Sequence, residues 1–284
     1  MCLALTILVG ASKSPLVAPY KDELFAYPSL LASAHQGAYL SVDYRAERDI
    51  RQRDAIPEKQ VKPRYVDLYP RKYQRDLSLE TEAGRLPHIA VGTRERARFI
   101  VVYVHGQGGN RTQGMNDHTF GGNFNRLKNL AARNDGLYLT VDFSNFEAAG
   151  VSQVKYLIHK FRELSPRAPV FVACGSMGGR ICWALAQDKK LAPRLGGLIL
   201  LGSHWDRSFL NSAAFRSRVP IYFGHGSADR VFPIETQEAF FRSIRSKDPA
   251  YPVRFVRFET GSHGTPIRMV DWRDTLNWMG SVRR

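Results

Sequence analysis

Residues suited to acyl-transfer chemistry fall in a few short stretches of the chain. Cys174-Gly175-Ser176-Met177-Gly178-Gly179 joins the apolar run VFVAC to the helical pattern RICWALA. A serine hydroxyl becomes a useful nucleophile when a strained strand-to-helix turn projects it outward, and that turn needs compact residues two before and two after the serine. Gly178 meets the second demand, while Cys174, also compact, stands where glycine is usual. Thr260-Gly261-Ser262-His263-Gly264 offers a base: His263, flanked by small residues, would take the proton from Ser176 and return it to the leaving group. An orienting acid is expected at Asp229, on the turn Gly224-His225-Gly226-Ser227-Ala228-Asp229 that runs on to Pro233; the rival Asp206 adjoins Arg207 and is expected to pair with it. The turn His105-Gly106-Gln107-Gly108-Gly109-Asn110 can aim backbone N–H groups at a developing oxyanion, and the expected donors are the N–H groups of Gln107 and Met177. His105 and His225 precede glycines in turns and are expected to support these groups rather than react.

Taken alone, the serine stretch could be a plain glycine turn or a phosphate-binding loop. The phosphate reading lacks its own fingerprint, since neither GxGxxG after a first strand nor GxxxxGK[ST] occurs. What joins the stretches is position. Each follows a short β-rich apolar run: FIVVYV at 99–104, VFVAC at 170–174, IYF at 221–223 and VRFVRF at 253–258, with LYLTV at 137–141 and LILL at 198–201 as further strands. Helical periodicity lies between or after them, predicting helices over Phe124–Arg133, Val151–Leu164, Met177–Gln187, Glu235–Ser246 and Ile267–Met279. This β-α alternation predicts a mostly parallel open sheet with helices on both faces, whose sites lie at the C-terminal ends of its strands. Arg254 and Arg257 interrupt the last run, which is therefore expected at an edge. Residues 1–64 read as an apolar run followed by a charged extension that could wrap the surface or partly cover the site. Residues 65–284 read as the catalytic domain, opening with antiparallel strands near Tyr65–Tyr69 and His88–Gly92.

Composition excludes several classes. With 44% hydrophobic and 24% charged residues over 284 positions, the chain can bury one large core and is not a disordered segment. The excess of 41 Lys and Arg over 26 Asp and Glu gives a formal +15, which fits an anionic substrate or surface as well as a solvated exterior. The basic residues are interleaved with acids, as in YRAERDIRQRD at 44–54, so no specific nucleic-acid binding is expected. Cys2, Cys174 and Cys182 make no disulfide framework and have no metal-ligand spacing, and neither a metal nor a cofactor is implied. The opening MCLALTILVGA is too short to span a bilayer, and Val9-Gly10-Ala11 has the small-residue pattern of a signal-peptidase site. That favours export to the periplasm or beyond, with a buried terminus of a cytoplasmic protein as the alternative. Lys21-Asp22-Glu23-Leu24 is internal and carries no retention signal.

Through HGQGGN, GSMGG, HGSAD and GSHG, with nucleophile, acid and histidine in that order, the chain resembles the α/β-hydrolase family over about residues 65–282. The resemblance implies a mostly parallel sheet of about eight strands and a cofactor-free esterase, lipase, thioesterase or peptidase acting on an ester or acyl substrate. Only Ser203–Val219 separates LILL from IYF, so any cap is minimal, with Trp205, Phe209 and Phe215 expected to pack rather than wall the site. The leading expectation is a carboxylic-ester hydrolase working through an acyl-enzyme. The alternatives are a thioesterase or deacetylase on a larger, anionic substrate, and a non-catalytic binding protein on the same fold.

Overall fold

Ten strands form one sheet in the computed structural model, which describes residues 15–56, 58 and 60–283. In chain order they are β1 (Leu30–Ala34), β2 (Tyr39–Val42), β3 (Gln74–Thr81), β4 (Gly84–Gly92), β5 (Ile100–Val104), β6 (Leu137–Val141), β7 (Val170–Gly175), β8 (Leu195–Leu201), β9 (Ile221–Gly226) and β10 (Val253–Phe258). They lie side by side as β1-β2-β10-β9-β8-β7-β5-β6-β4-β3. From β2 through to β6 every pairing is parallel, and β1, β4 and β3 add antiparallel edges.

The apolar runs become strands because they are covered on both faces, which parallel strands require. In β5, Ile100, Val102 and Val104 enter one core cluster while Val101 and Tyr103 enter the other. Helices α2 (Ala148–Leu164), α3 (Gly179–Gln187) and α4 (Ile234–Lys247) bury Val154, Ile181 and Phe240 in the first cluster. Helices α1 (Asn123–Arg133) and α5 (Trp272–Val282) bury Phe124, Leu127 and Leu276 in the second. Removing one of these large core side chains would cost about 2–5 kcal/mol.

Three expectations need correction. β10 is not an edge strand: residues 39–42 pair parallel to it, Phe255 opposite Tyr39 and Phe258 opposite Val42. Its arginines are accommodated by carboxylates, Arg257 by Glu238 and Glu259 and Arg254 by Asp274. Residues 65–69 contain no strand; the antiparallel hairpin of this region is β3–β4, eight pairs in register from Gln74–Val91 to Thr81–Gly84. The helix expected over 267–279 is two, Thr265–Met269 and α5, because Val270 and Asp271 leave helical geometry and the Asp271 carboxylate caps α5 by accepting from the N–H of Asp274.

The segment before residue 67 covers α1, which explains why Asn123 to Ala131 are all buried. Asp67 bonds to the Asn125 and Asn129 side chains, and Ala18 N–H donates to Asn134. Arg126, fully buried, is held by Asp22 at 2.9 Å and Asp271 at 3.1 Å. Removing one partner of such a buried pair costs about 3–5 kcal/mol. The apolar run at 1–11, including Cys2, lies outside the described residues, and among those described no helix is long and apolar enough to cross a membrane.

Candidate active site

Ser176 stands where β7 ends. Its φ of 51° places it in the left-handed region, and one turn of 3-10 helix, Ser176–Gly178, leads into α3. A non-glycine residue held there is strained, and that geometry lifts the hydroxyl clear of the backbone. The turn closes against β5, where a Cβ on Gly178 would lie 2.7 Å from the carbonyl oxygens of Val104 and His105. Glycine is thus required at that position. Cys174 does not obstruct the turn, because its side chain is buried in the core and bonded to Cys182 of α3. This bridge was not expected from the sequence; packing of α3 back onto β7 brings the two Cα atoms to 6.3 Å.

Ser176, His263 and Asp229 come together although 53 and 34 residues of chain separate them. The Ser176 hydroxyl donates to Nε2 of His263 at 2.9 Å, and Nδ1–H of His263 donates to Oδ2 of Asp229 at 2.8 Å. His263 lies on the loop after β10, and Asp229 on the loop after β9. The other carboxylate oxygen of Asp229 accepts from the N–H groups of Val231, at 2.8 Å, and Phe232, at 3.1 Å. Nε2–H of His225 lies 2.8 Å from the carbonyl of Phe232 and 3.3 Å from Oδ2 of Asp229. Burial alone would raise the Asp229 pKa; hydrogen bonds from His225, His263 and the two N–H groups outweigh it and hold the carboxyl well below the usual range. Asp206 plays no part in this chain. Instead of pairing with Arg207, its carboxylate caps the turn that follows by accepting from Ser208 N–H, while Arg207 stacks over Trp205.

The turn after β5 lies against Ser176. A Cβ on Gly106 would stand 2.8 Å from Cβ of Ser176, so only glycine allows the approach. Nδ1–H of His105 donates to the carbonyl of Gly106 at 2.8 Å, and its ring stacks on Phe143 at 4.5 Å. Burial pushes the His105 pKa down, keeping the ring neutral. Gln107 lines the same hollow as Ser176, and its N–H donates to no acceptor among the described residues. Met177 N–H belongs to the first turn of a helix, where such donors have no intrahelical partner.

The hollow beside Ser176 is small, about 170 Å³, and its walls are Tyr103, Gln113, Phe120, Leu201 and Ile267. These walls were not legible as such in the sequence. Phe120 begins a run of left-handed residues, with φ of 49°, 63° and 74° at Phe120, Gly121 and Gly122. Arg53 holds this run: its Nε and Nη2 donate to the carbonyl of Gly121 at 3.1 and 2.8 Å, and its guanidinium lies 4.6 Å from the rings of both Phe25 and Tyr65. The charged N-terminal extension therefore braces one wall of the site. Burial and the nearby Arg268 pull the Arg53 pKa down to about 10, which leaves it charged at neutral pH. Trp205, Phe209 and Phe215 pack with the core and do not line this hollow. A larger depression of about 470 Å³ lies further along α3, between Phe146, Arg180, His204 and Asp206, and excludes Ser176. Among the described residues no three His, Cys, Asp or Glu side chains are grouped to hold a metal ion.

No family model and no curated protein matches the sequence. Solved structures do match it in shape. An alpha-beta serine hydrolase homologue from Coxiella burnetii is 19% identical with a TM-score of 0.53, covering 71% of this chain and 95% of its own. A thermostable esterase is 16% identical with a TM-score of 0.56, covering 75% of this chain and 64% of its own. The Pyrococcus furiosus esterase is 12% identical with a TM-score of 0.54, covering 74% and 93%. The chain has the α/β-hydrolase fold. About eight strands were expected for it; the sheet has ten, β1 and β2 lying beyond β10.

Proposed function

We propose that this chain is a serine hydrolase that cleaves a carboxylic ester of short acyl length through an acyl-enzyme. The observation that carries the reading is the continuous hydrogen-bond chain from Asp229 through His263 to the Ser176 hydroxyl, with each link at 2.8–2.9 Å.

The reaction follows from these groups. Nε2 of His263 takes the Ser176 proton as Oγ attacks the ester carbonyl, and Asp229 fixes the tautomer that leaves Nε2 free and stabilises the imidazolium. The carbonyl oxygen becomes an oxyanion facing the N–H groups of Gln107 and Met177. Each such donor is worth about 3 kcal/mol. His263 then protonates the departing alkoxide, and a water activated by the same ring releases the acid from the acyl-serine. A hollow of about 170 Å³ has room for on the order of five or six water-sized groups, which suits an acyl chain of a few carbons.

The test is a series of p-nitrophenyl esters from acetate to octanoate. Turnover concentrated on the shortest members and lost in Ser176→Ala supports the reading; equal turnover by wild type and Ser176→Ala refutes it.

A further inference from the structure

A second feature lies at the opposite end of the sheet. The segments leading into β5 and β7 enclose a concavity of about 430 Å³ lined by Arg96, Arg98, Arg167 and Ser165, with Ala97 and Pro166. Arg162 lies three residues before Ser165 and feels the charge of Arg194, the residue before β8. Among the described residues no carboxylate lies within 4.0 Å of any of these five guanidinium groups. Arg111, Arg126, Arg257 and Arg268 are each engaged by Asp or Glu, whereas other arginines, such as Arg85, Arg180 and Arg230, also stand without a carboxylate; what marks this corner is that three such arginines line a single concavity.

The platform that presents them is fixed by backbone bonds. Arg96 N–H donates to the carbonyl of Leu164 at 2.8 Å, Ala97 N–H to Oγ of Ser165 at 2.9 Å, and Arg98 N–H to the carbonyl of Asp135 at 2.8 Å. Arg96 is held in the left-handed region, with φ of 55°. Nε of Arg162 is buried and has no partner. Burial, then the charge of Arg194, lowers the Arg162 pKa.

We propose that this concavity is a binding site for a phosphate-type anion carrying at least two negative charges. Guanidinium forks match the oxygen geometry of phosphoryl groups, and several of them converging on one hollow gain most from a ligand that neutralises them together. β5 and β7 are five and six residues long. At about 3.3 Å per residue the site therefore lies roughly 17–20 Å from the end that carries Ser176, so it can hold an anion without entering the acyl site. The inference does not depend on the hydrolase reading.

The probe is inorganic pyrophosphate, titrated calorimetrically into the full chain at low salt, with thermal melts to verify folding. The wild type is expected to bind one equivalent, with affinity falling steeply as salt rises. Arg96→Gln with Arg167→Gln should weaken binding at least ten-fold, while Arg45→Gln with Arg51→Gln, which removes the same charge from exposed positions after β2 at the opposite end of the sheet, should leave it within two-fold. Absence of saturable binding overturns the proposal, as does equal weakening by the two double variants. Vesicles of phosphatidylcholine with and without phosphatidic acid identify the source. Retention on the acidic vesicles that is lost in the arginine variant assigns a lipid headgroup, and pyrophosphate binding without retention assigns a free anion; either result upholds the site.

Discussion

Replacing Asp229 by asparagine changes one atom and should disable the proposed base almost completely. The native carboxylate accepts on both oxygens: Oδ1 from Val231 and Phe232 N–H, Oδ2 from Nδ1–H of His263. Asparagine keeps a single carbonyl oxygen. The two backbone donors claim it, since an NH2 turned toward them would face donors with a donor, and the amide NH2 is then presented to His263. Nδ1 must become the acceptor, and the proton moves to Nε2, 2.9 Å from the Ser176 hydroxyl it should deprotonate. In Ser-His-Asp enzymes this wrong tautomer costs about 10⁴ in kcat, which is about 5.4 kcal/mol of barrier. Asp229 does not line the hollow beside Ser176, so KM should move little. Steady-state kinetics of Asp229→Asn on p-nitrophenyl acetate measure both. A fall in kcat of less than ten-fold, with the variant folded, would refute the reasoning.

Other consequences are equally direct. Cys182→Ala opens the bridge to Cys174, which spans a sequence separation of 8; loop-closure entropy for so short a loop puts the loss near 2.5 kcal/mol, and urea unfolding that is unchanged by reductant would argue against the bridge. Phe120→Ala removes a wall of the hollow beside Ser176, so the preferred p-nitrophenyl ester should shift from acetate toward hexanoate; an unchanged ranking would mean that the acyl chain lies elsewhere. Acid stability should depend on Asp229. Its pKa is depressed in the folded state, so its contribution is complete above the ordinary carboxylate value of about 3.9 and is lost as pH falls below it. Asp271, raised by burial, works in the opposite sense by taking up a proton more readily when folded. Melting temperatures from pH 5 to 2 should therefore fall less in Asp229→Asn than in wild type.

Much of the molecule was legible because its signals are local. The apolar runs at 170–175, 221–226 and 253–258 are strands, and Ser176, Asp229 and His263 follow them in that order, so strand positions alone placed them at one end of the sheet. The readings that failed were those set by residues distant in sequence. Arg254 and Arg257 suggested an edge, but parallel pairing with Tyr39–Val42 depends on a segment more than 200 residues away, which no local window contains. The hairpin strand 74–81 carries charges at Arg75, Asp76 and Glu80 and only two apolar residues, Leu77 and Leu79, as an exposed edge strand can, and so sparse an apolar pattern resembles a loop. Phe120 became a wall of the site because Arg53 captures the carbonyl of Gly121. The Phe-Gly-Gly triplet signalled unusual backbone there, though not its partner. Cys174 and Cys182 carry a usable signal of their bridge: both lie on apolar stretches of adjoining strand and helix, which pack together in any such unit.

The central claim is that Ser176 is an activated nucleophile in the folded protein. Labelling with a fluorophosphonate followed by peptide mass spectrometry tests it most directly. The account predicts one equivalent of adduct on Ser176, abolished in Ser176→Ala and on prior unfolding. An unlabelled Ser176 in folded wild-type protein, or an adduct on another residue that persists in Ser176→Ala, would contradict it.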